Sequence, residues 1–120
     1  MSQLEEILAL QLRNQDISVV REFPFAADHI GIGPGIQKRL KAAGLKNWRF
    51  DFAFIDQKVA VEIQGGGWIN GGHNRGKGFS SDLRKQDAAL NMGWTVYSCD
   101  GAMVKDRTAI NTIKKLLGLS

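Results

Sequence analysis

The 120-residue chain has one cysteine, Cys99, which excludes an intramolecular disulfide framework and a zinc site built from several cysteines. No apolar run approaches the ~20 residues that a membrane helix needs. No internal repeat or low-complexity tract stands out. The segment Met1–Leu12 carries Glu5 and Glu6 and no basic start, so it does not read as a signal peptide. A small cytoplasmic protein with no membrane partner is the expectation. Charge and apolar content are ordinary, at 23% and 43%, so whole-chain disorder is excluded and one self-supporting domain over 1–120 is expected. Sixteen basic against twelve acidic residues leave +4, a balance that favours nucleic acid over an acidic small molecule.

Leu4, Ile7, Leu8 and Leu12 recur at helical spacing, which predicts an amphipathic helix over Ser2–Asn14, with Ser2 and Glu5 placed as a capping box. Ile17–Phe25 reads as a strand. Residues 26–46 read as a glycine-rich basic insertion around one short helical segment, Ile36–Ala43. Trp48–Ile55 and Val59–Gln64 read as a β-hairpin joined by Asp56-Gln57-Lys58. Gly65, Gly66, Gly67, Gly71, Gly72 and Gly76, six of the fourteen glycines, mark a loop suited to close approach of backbone to a ligand. A helix over Phe79–Met92 ended by Gly93, a strand over Trp94–Cys99 and a final helix over Lys105–Leu117 complete the order α-β-β-β-α-β-α. This is an α/β chain with a mixed sheet flanked by helices. Cys99 reads as a buried apolar filler.

The hairpin carries the chemistry. Strict alternation puts Phe50, Phe52 and Phe54 on one face and Asp51 with Ala53 on the other, while Glu62 shares a face with Ala60 and Gln64. Two acids inside apolar strands are costly to bury without compensation. Paired strands bring Asp51 beside Glu62, and converging carboxylates suit a hard divalent cation such as Mg²⁺ or Mn²⁺. The alternatives are a structural Asp51 paired with Arg49 or Arg84, and Glu62 as a solubility residue on an edge strand.

Asp51 followed by Glu62-Ile63-Gln64 on the next strand, the WRFDFAF and AVEIQGG stretches, the His73-Asn74-Arg75-Gly76 loop and the Asp82 to Lys85 helix together resemble the PD-(D/E)XK nuclease superfamily. The likeness covers nearly the whole chain and is nearest to its small stand-alone branch, related to very-short-patch-repair endonucleases and phage or archaeal Holliday junction resolvases. It implies a restriction-endonuclease-like core and a metal-dependent endodeoxyribonuclease. It implies a metal held by Asp51, Glu62 and the Ile63 backbone carbonyl, joined by Glu5 from the first helix. Glu5 flanks the apolar stripe of that helix, whereas Glu6 lies nearly opposite. Two positions depart from the pattern. Phe50 stands where the family has proline, and Gln64 stands where it has its catalytic lysine. Glutamine can orient water or phosphate by hydrogen bonds but supplies no charge. Lys85 is the first substitute for that lysine and Lys77 the second.

Lys38, Arg39, Lys41, Lys46 and Arg49 follow one another with no acid between, and Arg75, Lys77, Arg84 and Lys85 oppose only Asp82. Together with His73 and Asn74 they read as DNA phosphate contacts, or else as a solvated basic face. Trp68 and Phe79 read as base-stacking residues or as core. His29–Ile36 followed by Gln37–Leu40 resembles the hairpin of a helix-hairpin-helix motif, although no first helix is expected because Phe23–Ala27 follows a strand. A chain this short has no room for a separate sequence-reading domain, so selection for branched, nicked or mismatched DNA is expected over sequence specificity. A homodimer would supply two active sites. The likeness also suggests a phage or prophage source and a part in recombination or repair. The competing readings are a non-catalytic DNA-binding module on a decayed nuclease fold, favoured by Gln64, and a protein-interaction domain.

Overall fold

The computed structural model describes residues 3–64 and 77–119, with residues 77–81 described at the backbone only. Ten elements follow one another: α1 (Gln3–Asn14), β1 (Val20–Phe23), α2 (Phe25–Ile30), α3 (Ile36–Ala42), β2 (Phe50–Phe54), β3 (Val59–Gln64), α4 (Lys77–Asn91), β4 (Thr95–Asp100), α5 (Gly101–Lys105) and α6 (Thr108–Leu116). The strands form one four-stranded mixed sheet in the order β1-β2-β3-β4. The first two pairings are antiparallel, and β4 returns parallel to β3 after α4. The chain is therefore α/β, with a mixed sheet flanked by helices.

Each face of the sheet has its own core. On one, Phe52, Phe54, Val59 and Val61 pack with Leu8 and Leu12 of α1, Val104 of α5, and Ile110 and Ile113 of α6. On the other, Phe50, Ala53 and Ala60 pack with Phe25 to Ala27 of α2, Leu40 of α3, and Ala88 and Ala89 of α4. The alternation of β2 and β3 supplies both faces. Cys99 is buried in the first core, and burial, its largest cause, pushes the thiol up to about 11, so it behaves as an apolar filler. Among the described residues no helix is long and apolar enough to cross a membrane.

Three expectations are corrected. First, a helix does precede α3, and the glycine-rich segment 26–46 contributes Ala26, Ala27 and Leu40 to the core. A six-residue helix has no periodicity to read and would not persist alone; burial of Phe25, Ala26 and Ala27 holds it. Pro24 starts it, and Gly35, in the left-handed conformation at φ 72°, starts α3. Second, the final helix starts at Thr108 rather than Lys105, and a separate short helix, α5, precedes it where none was expected. Asp100 caps α5 by accepting from the Met103 N–H at 3.0 Å, and Arg107, at φ 71°, turns the chain into α6. Third, Phe50 does not share a face with Phe52 and Phe54. It belongs to the opposite core and stacks on Phe25 with ring centroids 4.0 Å apart. The ends of α3 and α4 do follow the sequence logic. Gly44 and Gly93 take positive φ, and the next N–H, of Leu45 or Trp94, reaches back to Leu40 or Ala89 at 2.9 Å in each case.

Candidate active site

The reversal at Phe50 begins at Asp51, where the β2–β3 ladder opens. Backbone pairing runs through Phe54–Val59, Ala53–Ala60 and Phe52–Val61. Beyond it, side chains take over the hydrogen bonds. The Asp51 N–H donates to Glu62 Oε2 at 2.9 Å, and the Ile63 N–H donates to Asp51 Oδ2 at 2.8 Å. The two acids are thus reciprocal acceptors for each other's strand. Both line a pocket of about 240 Å³ with Phe50, Ile63, Gln64 and Lys85. Asp51 and Glu62 are brought together, as the sequence pattern requires.

Lys85 reaches this pocket from α4. Its ammonium donates to Glu62 Oε1 and stands 5.9 Å from the centre of the Phe50 ring. The pair is largely buried, with side-chain exposures of 19% for Lys85 and 17% for Glu62. Burial raises Glu62 above the ordinary glutamate value, against the lowering pull of Lys85 and of the Asp51 N–H. β3 lies between β2 and β4, so Glu62 is not an edge-strand solubility residue. Among the described residues Asp51 forms no ion pair with Arg49 or Arg84. Gln64 lies at the exposed end of β3 and lines the same pocket.

A third acid comes from β1. Phe23 pairs with Phe50 and Arg21 with Phe52, which sets Glu22 level with Asp51. One carboxylate oxygen from each of Glu5, Glu22 and Asp51 lies within 4.8 Å of the others, a group able to hold a metal ion. Glu62 is not in this group; it meets Asp51 through the backbone N–H. Arg21 faces the cluster and bonds Glu5 at 3.4 Å and Glu6 at 3.1 Å. Glu22 sits in a strand at φ 51°, a conformation costly for a residue with a side chain, and its carbonyl accepts from Arg49 at 3.3 Å. Glu22 is not among the site residues expected from the sequence. Locally it follows Arg21 in a four-residue strand and reads as an ordinary charged pair, and its placement depends on long-range register.

Lys38, Lys41, Lys46, Arg49 and Arg84 are exposed. Arg39 is exposed too, but its guanidinium is committed to the α2–α3 connection, donating to the Pro34 carbonyl at 3.2 and 3.3 Å and to that of Ile30 at 3.3 Å. Arg39 therefore holds the hairpin together. Ser2, Trp68, His73, Asn74 and Arg75 lie outside the described residues, as do the side chains of Lys77 and Phe79. No known protein family matches the chain, and no curated protein or solved structure matches it.

Proposed function

We propose that the chain is a Mg²⁺- or Mn²⁺-dependent endodeoxyribonuclease with a PD-(D/E)XK, restriction-endonuclease-like core. The observation that carries this reading is the pocket in which Asp51 and Glu62 open the β2–β3 ladder and receive Lys85 from a neighbouring helix. A lysine paired with one of two adjoining strand acids suits phosphodiester hydrolysis, and here it reaches Glu62 from α4 while Gln64 fills the strand position.

The donor set fits a hard cation, because Glu5, Glu22 and Asp51 offer only carboxylate oxygens. These three carboxylates would hold a divalent ion, whose chemistry there would be Lewis acidity toward a phosphate oxygen and a lowered pKa of water. Lys85 places a positive charge in the pocket, where it offsets charge developing on the phosphate. Gln64 orients water or a phosphate oxygen by hydrogen bonds. Glu62 holds the lysine in place by accepting hydrogen bonds from both Lys85 and the Asp51 N–H. The exposed lysines of α3 and the segment after it supply contacts to the DNA backbone.

The test is cleavage of branched and linear DNA with Mg²⁺ or Mn²⁺. Asp51→Asn and Glu62→Gln keep an acceptor oxygen for the strand amides, so their effect reports on chemistry. Each is expected to lower the rate by ~100-fold or more, the scale of losing one group that acts on the transition state. Full activity in both variants would overturn the mechanism. Salt-dependent DNA binding with no cleavage in either metal would favour a non-catalytic binding module, the reading that Gln64 in place of lysine supports.

A further inference from the structure

A second cleft of about 610 Å³ lies between α4 and the segment after α3, lined by Leu45, Trp48, Leu83, Arg84, Asp87 and Asn91 among others. Its aromatic wall is tied to the carboxylate pocket. Trp48 stacks on Phe25 (centroids 6.4 Å apart, planes 11° apart), and Phe25 stacks on Phe50, which lines that pocket. Leu83 leaves half of its surface exposed at the cleft, at 50%. On the polar side the Asn91 amide donates to the Asp87 carboxylate at 3.2 Å and to its backbone carbonyl at 3.0 Å. This leaves the Asn91 side-chain oxygen and the second Asp87 oxygen as acceptors. The flanks are basic: Lys41, Lys46 and Arg84 are exposed, and no acid occurs between His29 and Phe50.

A flat aromatic wall, apolar packing on one side, acceptors on the other and cationic flanks suit one planar heterocycle on a polyanionic strand. We propose that this cleft takes a single unpaired nucleobase of the DNA bound at the carboxylate site. Trp48 and Leu83 pack against its plane, and Asp87 and Asn91 accept from an exocyclic amine. Adenine, cytosine and guanine carry such an amine on the pairing edge; thymine does not. The proposal rests on the nuclease reading and goes beyond it by naming the DNA feature selected and the residues that select it.

The test compares the 120-residue chain on a duplex with one bulged base and on the same duplex fully paired, with affinity measured in EDTA and cleavage in Mg²⁺. The bulged duplex is expected to bind ~10-fold more tightly, the scale of one stacked base, with bulged adenine or cytosine above bulged thymine. Trp48→Leu is expected to bring the bulged and paired affinities together. Asp87→Ala, at an exposed helix position, is expected to remove the difference between bulged bases. Cleavage with equal affinity for bulged and paired DNA overturns this proposal alone, as does a bulge preference unchanged in both variants. Absence of any DNA binding overturns the nuclease reading as well.

Discussion

Lys85 and Glu62 are each more than four-fifths buried, so their attraction is only weakly screened by water. Removing the lysine alone strands a carboxylate in the pocket. Lys85→Met is expected to lower stability by roughly 1–3 kcal/mol, and adding Glu62→Gln should recover most of it, as read by urea unfolding of the single and double variants. The pH dependence has a definite sign. Burial holds the Glu62 proton to higher pH in the folded chain than in the unfolded one, so the folded state binds more protons between those two values. Its contribution to stability is full below the ordinary glutamate value and is lost as pH rises through the raised one. Without Lys85 the raised value climbs further and the loss extends to higher pH. The two acids were legible in the sequence because each interrupts an apolar strand. Glu22 was not, since its meeting with Asp51 is fixed by the register of β1 on β2, which no local pattern encodes.

At the scale of elements, the α2–α3 hairpin depends on one guanidinium. Arg39 bridges the Ile30 and Pro34 carbonyls across a connection that contains Gly31, Gly33 and Gly35. Arg39→Lys keeps the charge but loses the planar fork. It is expected to cost about 0.5 kcal/mol and to speed amide hydrogen exchange in residues 31–36, with little change in β2 or β3. Long periodic elements were readable: α1 shows its stripe of leucines, and α4 shows the glycine that ends it. Short ones were not. The six residues of α2 become helical because Phe25 is driven into the core, and the break between α5 and α6 is made by Asp106, which accepts from the Thr108 N–H at 2.9 Å. Phe50 escaped the alternation rule because side-chain acceptors replace the backbone ladder beside it. The same feature that defines the candidate site therefore defeated the local pattern.

At the scale of the whole molecule, four exposed basic residues border the cleft between α4 and the segment after α3. Lys38, Lys41 and Lys46 project from α3 and the segment after it, and Arg84 from the facing α4. If this face carries the DNA backbone, the triple variant Lys38→Ala/Lys41→Ala/Lys46→Ala should reduce the slope of log affinity against log salt by about 2–3, as measured by titration across salt concentrations. The sheet has helices on both faces, but the two are packed differently. One core is filled by leucine, isoleucine, valine and phenylalanine. The other sets small residues, Ala53 and Ala60 on the strands and Ala88 and Ala89 on α4, among the aromatic rings of Phe25, Phe50 and Trp94. Those small residues act as spacers that set how closely α4 rests on the sheet. Added bulk at Ala60 or Ala89 would lift the helix and withdraw the ammonium it carries, so the reach of the lysine is tuned by methyl groups with no chemistry of their own.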